Sequence, residues 1–550
     1  MYVFRESHRV ASAGRLLAEL ADAVRRAAFS SAQDDLQDAL LRAGELECAL
    51  ADSGQQSDAT QVAGVTDCLA SALVRRDRLV VAESSLQILN AMNLSGDLVV
   101  KTPEGFAYYG LSPLDYALLV ERLLEESPRL TGAAVIGIRT IGTTLSAVVE
   151  AELRRHRIAT SRITVRPHGH PFRRETRFSN GQYDWVAERL RSGDKFFVVD
   201  EGPGLSGSSF LSVANALQVE GVDPENILFL CSHIPDVASF CSETSRAEWP
   251  RFHALAATSQ PFLAEDAEDV SYGQLRGRVF KSESEWPASW VQMERRKFSS
   301  ADGSDLLKFE GHGKYGEPSF GRAQRLAKAG FGPQVLGRSN GFTRYEWVAG
   351  TALRAEDLDE PVVDRIAQYC AFRAAEFGAE TDSRDAVDLE TMTRVNLLEK
   401  FGGDEPSHDL SALRSERKVI PDSRMMPHSW LRDPEGRVFK TNGSLHGDDH
   451  FFPGPCDIAW DLAGAIVEWE MGDCVANHFL AKYLQLSGDD ARPRISTYIA
   501  AYTAFRMGYC KMAAEAMRGS DEELRLRRDY LRYREVLHPT RATRELARVA

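Results

Sequence analysis

The sequence predicts an α/β protein built from three parts, and three patterns along the chain support this. From about residue 11 to 80, apolar and polar residues alternate at helical spacing. From about residue 95 to 260, short apolar strands alternate with helix-like stretches, which predicts a mostly parallel sheet covered by helices. From about residue 285, a hairpin-like segment and Gly/Pro-rich turns precede mainly helical sequence, which predicts a separate α+β domain.

Length and composition agree with this division. A chain of 550 residues is too long for one ordinary core. Hydrophobic residues make up 43% and charged residues 27%, which is typical of folded globular proteins. We therefore expect a helical N-terminal module over residues 1–80, a sheet domain over 81–265 and a C-terminal domain over 285–550.

Charge and cysteine usage narrow the class of protein. A net charge of −14 disfavours nonspecific binding to nucleic acid or to an anionic membrane. The sequence has neither an apolar run long enough to span a bilayer nor the apolar stretch of a secretory signal. Its eight cysteines form no CxxC pair, so we expect reduced thiols and a cytoplasmic protein. The small N-terminal module is expected to serve docking or homo-oligomerisation.

An acidic loop is the most informative feature of the predicted sheet domain. The apolar strand 196–199 leads directly into Asp200 and Glu201. A loop of small residues and then a helix-like stretch follow, so backbone N–H groups can hold a phosphate at a helix N-terminus while the two carboxylates hold vicinal hydroxyls or a metal ion. The candidate phosphate-binding residues are Gly204, Leu205, Ser206, Gly207, Ser208 and Ser209. The alternative is an ordinary strand-turn-helix with a capped N-terminus.

Two further loops of the same domain have compositions that suit an oxyanion. The first follows an apolar strand and contains Gly137, Arg139, Thr140, Gly142, Thr143 and Thr144. Its glycines allow close backbone approach, its hydroxyls can donate, and Arg139 supplies a forked cation. The second, residues 166–177, is rich in cations that include Arg173 and Arg174. A metal site at His168 and His170 is a weaker interpretation of the same segment, and an ordinary strand-to-helix turn is the alternative for the first loop.

The order of the three loops resembles that of type I phosphoribosyltransferases, which have a Rossmann-like sheet. In that family a pyrophosphate loop, a basic flap and an acidic ribose loop follow one another. The resemblance implies phosphoribosyl pyrophosphate (PRPP) as co-substrate and Mg²⁺ as cofactor, with Asp200, Glu201 and Arg139 in catalysis and the two carboxylates at the metal. Gly202 and Pro203 stand where the family usually has two aliphatic residues.

The C-terminal domain resembles aminoglycoside-phosphotransferase-type kinases. Its similar features are Lys308 on an apolar strand, a hinge-like segment with Glu346 and Val348, and a later stretch from Asp457 to Gly464. The resemblance implies nucleotide binding at Lys308, Glu346 and Val348 and at Asp422, His428 and Asn442, with ATP as an optional second ligand. It also implies that an aspartate of the stretch from Asp457 to Gly464 braces the catalytic loop. Asn442 falls where the family has a metal-binding aspartate, and Asp422 and His428 are irregular counterparts of its catalytic loop. An alternative takes His446 to Asp448 as that loop.

These features favour PRPP-dependent transfer of a ribosyl group to a small-molecule or base acceptor. The kinase-like domain would bind nucleotide or phosphorylate a related small molecule. Two alternatives stay open at this point. One is a non-catalytic sensor that binds PRPP or nucleotide, and the other is a small-molecule kinase with an accessory PRPP-binding module.

Overall fold

The computed structural model describes residues 1–5, 8–30, 32–76, 79–258, 267–379, 383–402, 409–414, 417–447 and 449–537. Within these residues the chain forms N-terminal helices, a parallel sheet between helices, and a C-terminal part with a small antiparallel sheet beside a larger helical region. Among the helices described, none is long and apolar enough to cross a membrane.

The described elements of the first half of the chain alternate in the predicted manner after residue 97. They are β1 (His8–Ser12), α1 (Ala13–Phe29), α2 (Gln33–Asp52), α3 (Gln56–Arg75), α4 (Leu79–Ala91), β2 (Asp97–Lys101), α5 (Pro113–Glu126), β3 (Gly132–Ile138), α6 (Ile141–Arg155), β4 (Ala159–Val165), β5 (His168–His170), β6 (Arg173–Glu175), α7 (Asn180–Arg191), β7 (Lys195–Val199), α8 (Ser208–Val219), β8 (Ile227–Cys231), α9 (Glu243–Glu248) and β9 (His253–Ala256).

The second half begins with short strands and ends in long helices. Its described elements are β10 (Glu268–Asp269), α10 (Arg276–Val279), β11 (Lys297–Ser299), β12 (Asp305–Phe309), α11 (Glu317–Lys328), β13 (Val335–Ser339), β14 (Phe342–Glu346), β15 (Thr351–Ala352), α12 (Glu360–Glu376), α13 (Ser383–Phe401), β16 (Trp430–Arg432), β17 (Val438–Lys440), α14 (Ala459–Glu468), α15 (Asp473–Ser487), α16 (Arg492–Ala516) and α17 (Asp521–Leu537).

The predicted parallel sheet is present and has five strands in the order β4-β3-β7-β8-β9. Successive residues of β3 face opposite sides, so Val135 packs in one apolar core with α5 and α6 while Ile136 packs in another with α7 and α8. The chain moves from β3 to β4 on one side and then returns past β3 to β7 on the other. This reversal makes the edge between β3 and β7 the topological switch point, where ligands bind in open α/β sheets.

The N-terminal helices share one apolar core with the sheet domain. Residues of α1 to α4 form a continuous buried cluster with Ala147, Val148 and Ala151 of α6. Strand β1 pairs antiparallel with β2, which connects the start of the chain to the segment before the sheet. The apolar faces that the sequence offers for docking are therefore used inside the chain, and homo-oligomerisation through the module stays a prediction.

A buried ion cluster also joins the helices to the sheet. Arg162 on β4 donates through both terminal nitrogens to the Glu47 carboxylate, each at 2.9 Å, and its Nε lies 2.5 Å from Asp67 Oδ1. The Arg162 side chain is only 4% exposed. Because a buried guanidinium that loses its partners is costly, this cluster fixes the position of the helices on the sheet.

The C-terminal part contacts both of the preceding parts. Its antiparallel sheet has the strand order β10-β11-β12-β14-β13, with Lys308 on the central strand β12. Phe4 pairs with Phe451, so the first residues of the chain lie on this domain. Lys314 forms an ion pair with Glu45 of α2 at 2.5 Å. The expected boundaries of the three domains stay predictions, since the described residues form a chain of contacts rather than separate bodies.

We expect Arg162→Ala to destabilise the protein by about 3 kcal/mol, because it leaves the buried Glu47 carboxylate without its main cation. Arg177→Ala is the matched control, since Arg177 pairs with Glu175 on the surface and a pair of that kind contributes about 0.5 kcal/mol. Urea unfolding followed by circular dichroism measures both. Equal losses for the two variants would contradict the structural role of the Arg162 cluster.

Candidate functional sites

Asp200 and Glu201 lie at the switch point of the parallel sheet, directly after β7. The Asp200 carboxylate accepts backbone hydrogen bonds from Glu201 and Gly142, and the Glu201 carboxylate accepts one from Gly105. Gly142 belongs to the loop after β3, and a Cβ there would collide with the carbonyl oxygen of Val199. The absence of a side chain at Gly142 therefore lets the two candidate loops meet.

Burial and mutual repulsion shift the pKa values of this acidic pair toward neutrality. Burial raises the pKa of Asp200 to about 7, although nearby Arg166 partly opposes the shift. Burial together with the charges of Asp200 and Glu104 raises the pKa of Glu201 to about 8. Burial raises the pKa of Glu104 to about 7 as well. Titratable groups with such shifts in a loop at a switch point are typical of ligand sites.

The candidate phosphate loop joins Glu201 to the N-terminus of α8. Gly204 and Gly207 have φ values of 58° and 65°, which glycine adopts without strain. The hydroxyls of Ser206 and Ser208 both donate to the carbonyl oxygen of Pro171, at 2.8 and 2.6 Å. Leu205 is 66% exposed at the tip of the loop, and Ser209 stands in the first turn of α8. The first-turn N–H groups of this helix point at the loop interior, where an anion can accept from them.

The predicted basic flap is a β5–β6 hairpin that lies on this phosphate loop. Its turn supplies the carbonyl of Pro171 that the two serines contact, while Arg173 is exposed and Arg174 half-buried. His168 and His170 are exposed on the hairpin. Among the described residues, the single group with metal-ligand spacing is Glu121, Glu152 and His156, on α5 and α6. The structure thus gives no support to a metal site at the flap histidines.

The loop after β3 differs in part from the expectation. Thr143 and Thr144 are buried in the first turns of α6, and Thr144 packs against Gly44 of α2 instead of facing a ligand. Arg139 is held by Asp52, with Nη1 to Oδ1 at 3.1 Å. Packing of the N-terminal helices, which loop composition does not reveal, decides these orientations.

Gly137 and Thr140 have the backbone features expected of a loop that binds an oxyanion. A Cβ at Gly137 would collide with the backbone of Gly142 and the hydroxyl of Ser146. Thr140 has a φ of 106°, a strained conformation for a residue with a side chain. Strained residues cluster at ligand sites. The conformation of Thr140 therefore fits a pyrophosphate-binding loop, although Thr143 and Thr144 are buried.

Residues 102–110, which we call the hood, contain a one-turn π-helix over Gly105–Tyr109. Phe106 and Tyr108 are buried, and Tyr108 stacks on His450 of the C-terminal part with ring centroids 5.1 Å apart. Tyr108 also lines a cavity of about 280 Å³. The hood lies between the acidic pair and the C-terminal part, because its Gly105 N–H donates to Glu201 while its Ala107 carbonyl accepts from Arg295 at 3.2 Å.

A cleft in the C-terminal part contains most of the residues expected to bind nucleotide. Lys308, Glu346, Val348, His428 and Asn442 all line a cavity of about 220 Å³ with a mainly apolar wall. A second cavity of about 280 Å³ adjoins it and shares Lys308, His428 and Asn442. The combined cleft lies between the antiparallel sheet and the helical region.

Lys308 has an unusual partner in this cleft. Its ammonium donates to Asn442 Oδ1 at 2.5 Å, and Arg322 occupies the buried face of α11 behind it. Burial and the neighbouring cations Lys297 and Arg295 lower the pKa of Lys308 well below its usual range. Glu310 instead accepts hydrogen bonds from Tyr345, Thr343 and Ser444. The lysine therefore contacts a neutral amide where a kinase of the resembling type would have an acidic partner.

Asp461 identifies the residues that correspond to a kinase catalytic loop. Its carboxylate accepts the backbone N–H groups of Asp422 at 2.7 Å and Ser423 at 2.9 Å. This is the bracing role that the resemblance implies for the aspartate after the metal-binding position. In an H-x-D loop the two braced residues precede the catalytic aspartate, so the residue in that position is Arg424. The residue five positions later is Ser429, where such a loop has asparagine.

The structure does not bring Asp422 to the cleft, and its expected role in nucleotide binding stays a prediction. Asp422 is fully buried, forms an ion pair with Lys440 at 3.1 Å and accepts a hydrogen bond from Tyr369. It does not line either cavity, whereas Arg424 lines both. Sequence reasoning missed Arg424 because its importance follows from the register set by Asp461. In the alternative loop, His446 lines the larger cavity, and Asp448 lies outside the described residues.

Comparison with known proteins gives distant structural neighbours alone. No family model matches the sequence, and no curated protein matches it. Solved structures with similarity include a choline/ethanolamine kinase family protein from Mesorhizobium loti, at 18% identity and a TM-score of 0.33 over 46% of this chain and 88% of that chain. A choline kinase from Streptococcus pneumoniae has 14% identity and a TM-score of 0.30 over 44% of this chain and 89% of that chain. A macrolide 2′-phosphotransferase from Brachybacterium faecium has 15% identity and a TM-score of 0.29 over 45% of this chain and 89% of that chain.

These three neighbours are small-molecule kinases by their descriptions, and none is a phosphoribosyltransferase. Their TM-scores are too low to support an argument about activity. The kinase-like character of the C-terminal cleft therefore rests on Lys308, the hinge and the Asp461 brace.

We expect the free energy of unfolding, measured in EDTA, to fall as the pH rises from about 5 to 8. The folded-state pKa values of Asp200 and Glu201, about 7 and about 8, exceed ordinary carboxyl values. The folded protein thus keeps protons that the unfolded chain releases, and that stability is lost as the pH rises through the folded values. Asp200→Asn with Glu201→Gln should flatten this dependence, whereas Glu225→Gln, an exposed control, should not. If the stability of the double variant falls with pH as steeply as that of the wild type, the pH dependence does not come from Asp200 and Glu201.

Proposed function

We propose that the parallel-sheet domain binds PRPP and transfers its ribosyl phosphate group to a small acceptor. The observation that carries the proposal is the half-buried Asp200–Glu201 pair at the switch point, followed by a glycine-rich loop and helix N-terminus on which a basic hairpin lies. Two carboxylates suit the vicinal hydroxyls of a ribose, and the start of α8 suits its 5′-phosphate. These three groups lie on adjacent parts of one sheet edge.

In this mechanism the chain's own residues bind, orient and shield the substrate. Asp200 and Glu201 accept hydrogen bonds from the ribose hydroxyls, and the N–H groups of the α8 N-terminus hold the 5′-phosphate. Ser206 and Ser208 would donate to this phosphate only after they release the carbonyl of Pro171. Arg173 and Arg174 of the hairpin neutralise the pyrophosphate as it leaves and exclude water from the ribosyl centre. Arg139 would assist only after its ion pair with Asp52 opens. The bond to pyrophosphate breaks at the anomeric carbon, and the acceptor forms the new bond there.

The acidic pair also fits Mg²⁺, which the resemblance implies. Carboxylate oxygens are hard ligands of the kind that Mg²⁺ prefers, and Asp200 and Glu201 are adjacent at the end of β7. Asp200 and Glu201 would hold the ion directly or through water. When bound, the ion supplies charge neutralisation of the pyrophosphate oxygens.

The test is pyrophosphate release from PRPP and Mg²⁺ in the presence of a panel of nucleobases and small amines. We expect Asp200→Asn and Glu201→Gln each to lower kcat/KM by at least about 100-fold, since each removes a charged contact to the reacting sugar. Glu225→Gln, at the opposite edge of the sheet, serves as control. If PRPP neither stabilises the wild-type protein against heat nor binds in calorimetry, the proposal fails.

Phosphorylation of a small molecule in the C-terminal cleft is the second candidate function. It is favoured by the Asp461 brace and by Lys308 beside a hinge-like segment, the arrangement that a kinase of the resembling type uses. Choline and ethanolamine are reasonable first substrates, because the descriptions of the structural neighbours name their kinases. Arg424, Ser429 and Asn442 weigh against it, since they replace the residues that orient the acceptor and bind metal.

Phosphotransfer is tested with ATP labelled on the γ-phosphate, Mg²⁺ and these acceptors. A working kinase should lose about 100-fold or more of its activity in Lys308→Ala and keep it in Lys328→Ala, whose side chain is exposed at the end of α11. We expect no transfer above the background of the Lys308→Ala variant. Lysine-dependent labelling of an acceptor would establish this second function.

A further inference from the structure

The larger cavity of the C-terminal cleft carries a concentrated positive charge. Seven arginine and lysine side chains line its volume of about 280 Å³, against three carboxylates. Placing so many lysine and arginine side chains close together lowers the stability of the folded protein, because like charges repel more strongly away from bulk water. An excess of buried cations in a cavity is the arrangement that binds a multiply charged anion.

The three carboxylates balance only part of this charge. Glu294 forms an ion pair with Lys297, and Glu468 forms ion pairs with Arg506 and Arg532. Among the residues that the structure describes, no carboxylate lies within ion-pair distance of Arg295, Lys308 or Arg424. Arg295 is 7% exposed and Lys308 4% exposed, so both cations are held in the cavity wall and away from solvent.

The neighbouring cavity has a mainly apolar lining. It shares Lys308, Arg424 and Asn442 with the cationic cavity, but its own lining is mainly apolar and includes Val348 and Leu431. A flat apolar slot that opens onto a cluster of cations matches a molecule with an aromatic base at one end and several phosphates at the other. The cations are on the phosphate side, next to Lys308.

The groups that would bring a divalent metal to these phosphates are replaced. A kinase binds its metal through an aspartate on the strand after the catalytic loop and an asparagine within that loop. Here the corresponding residues are Asn442, whose oxygen accepts from Lys308, and Ser429. Arg424 brings a guanidinium to the position of the catalytic carboxylate. Cations of the chain thus stand where metal ions would neutralise phosphate charge.

We propose that this cleft binds a nucleoside polyphosphate without a divalent metal and does not transfer its phosphate. Lys308, Arg424 and Arg295 neutralise the phosphates, and the slot beside Val348 takes the base. The cleft is then a ligand-sensing site in a kinase-like frame, separate from the acidic pair of the parallel sheet.

Calorimetry with the full-length protein tests this proposal, with ATP and inorganic tripolyphosphate as probes. ATP should bind with the same affinity, within about threefold, in EDTA and in excess Mg²⁺, and it should bind more weakly as the salt concentration rises. Tripolyphosphate should bind at least about tenfold more weakly than ATP, because it lacks the base. The protein with Asp200→Asn and Glu201→Gln should bind ATP normally, which separates this site from the proposed PRPP site.

Matched variants locate the site. Arg424→Gln should weaken ATP binding in EDTA by at least about tenfold, since it removes a charged contact to phosphate. Arg528 lines the cavity, whereas its neighbour Arg527 pairs with Glu523 outside it. Arg528→Gln should therefore weaken binding, and Arg527→Gln should leave it unchanged. Thermal unfolding without ligand confirms that each variant is folded.

Several results would overturn the proposal. Binding of ATP that requires Mg²⁺ would show that the cations do not replace the metal. Equal affinity for tripolyphosphate and ATP would remove the role of the apolar slot, and equal effects of Arg528→Gln and Arg527→Gln would place the ligand elsewhere. Transfer of the γ-phosphate that Arg424→Gln abolishes would show a working kinase.

Discussion

The close approach of two backbone segments at the switch point of the parallel sheet is the constraint on which the candidate PRPP site depends. Side chains at Gly137 or Gly142 would collide with the first turn of α6 or with the end of β7. Because neither is present, the loop after β3 can donate its Gly142 N–H to Asp200. The half-buried acidic pair is thereby fixed by backbone groups, and its pKa values are raised toward neutrality. A ligand or cation that supplies the missing positive charge is then favoured by electrostatics rather than by shape.

The C-terminal cleft combines a kinase-like backbone arrangement with side chains that differ from those of a kinase active site. Asp461 fixes the backbone at Asp422 and Ser423, which is the contact that the resemblance to kinases implies for a catalytic loop. The side chains that this geometry presents to the cleft are nevertheless cationic or neutral. Asp422 turns inward because Lys440 and Tyr369 satisfy its charge in the core. Function therefore has to be argued from the side chains of the site and not from the frame.

The two sites are connected through one short segment. The π-helix at Gly105–Tyr109 donates to Glu201 on one side and accepts from Arg295 on the other. Tyr109 also forms a hydrogen bond with His450 Nε2 at 2.8 Å. π-Helical turns are rare and occur frequently at functional sites, because the extra residue displaces backbone groups from the regular ladder. The hood thus contacts both the acidic pair and the C-terminal cleft.

The sequence by itself determined the parallel sheet, its edge with Asp200 and Glu201, the loop rich in glycine and serine before α8 and the position of Lys308 on a strand. These features follow from local apolar periodicity and from glycine and serine at turns, which act over a few residues. Only the tertiary structure decided that Thr144 packs against Gly44, that Arg139 pairs with Asp52, and that Arg424 rather than Asp422 faces the cleft. Each of these depends on contacts between residues distant in the sequence: Arg139 and Asp52 are 87 positions apart, and Asp422 and Asp461 are 39 positions apart. Pairing over such separations leaves no periodic signal in the chain, so it becomes visible when the elements pack.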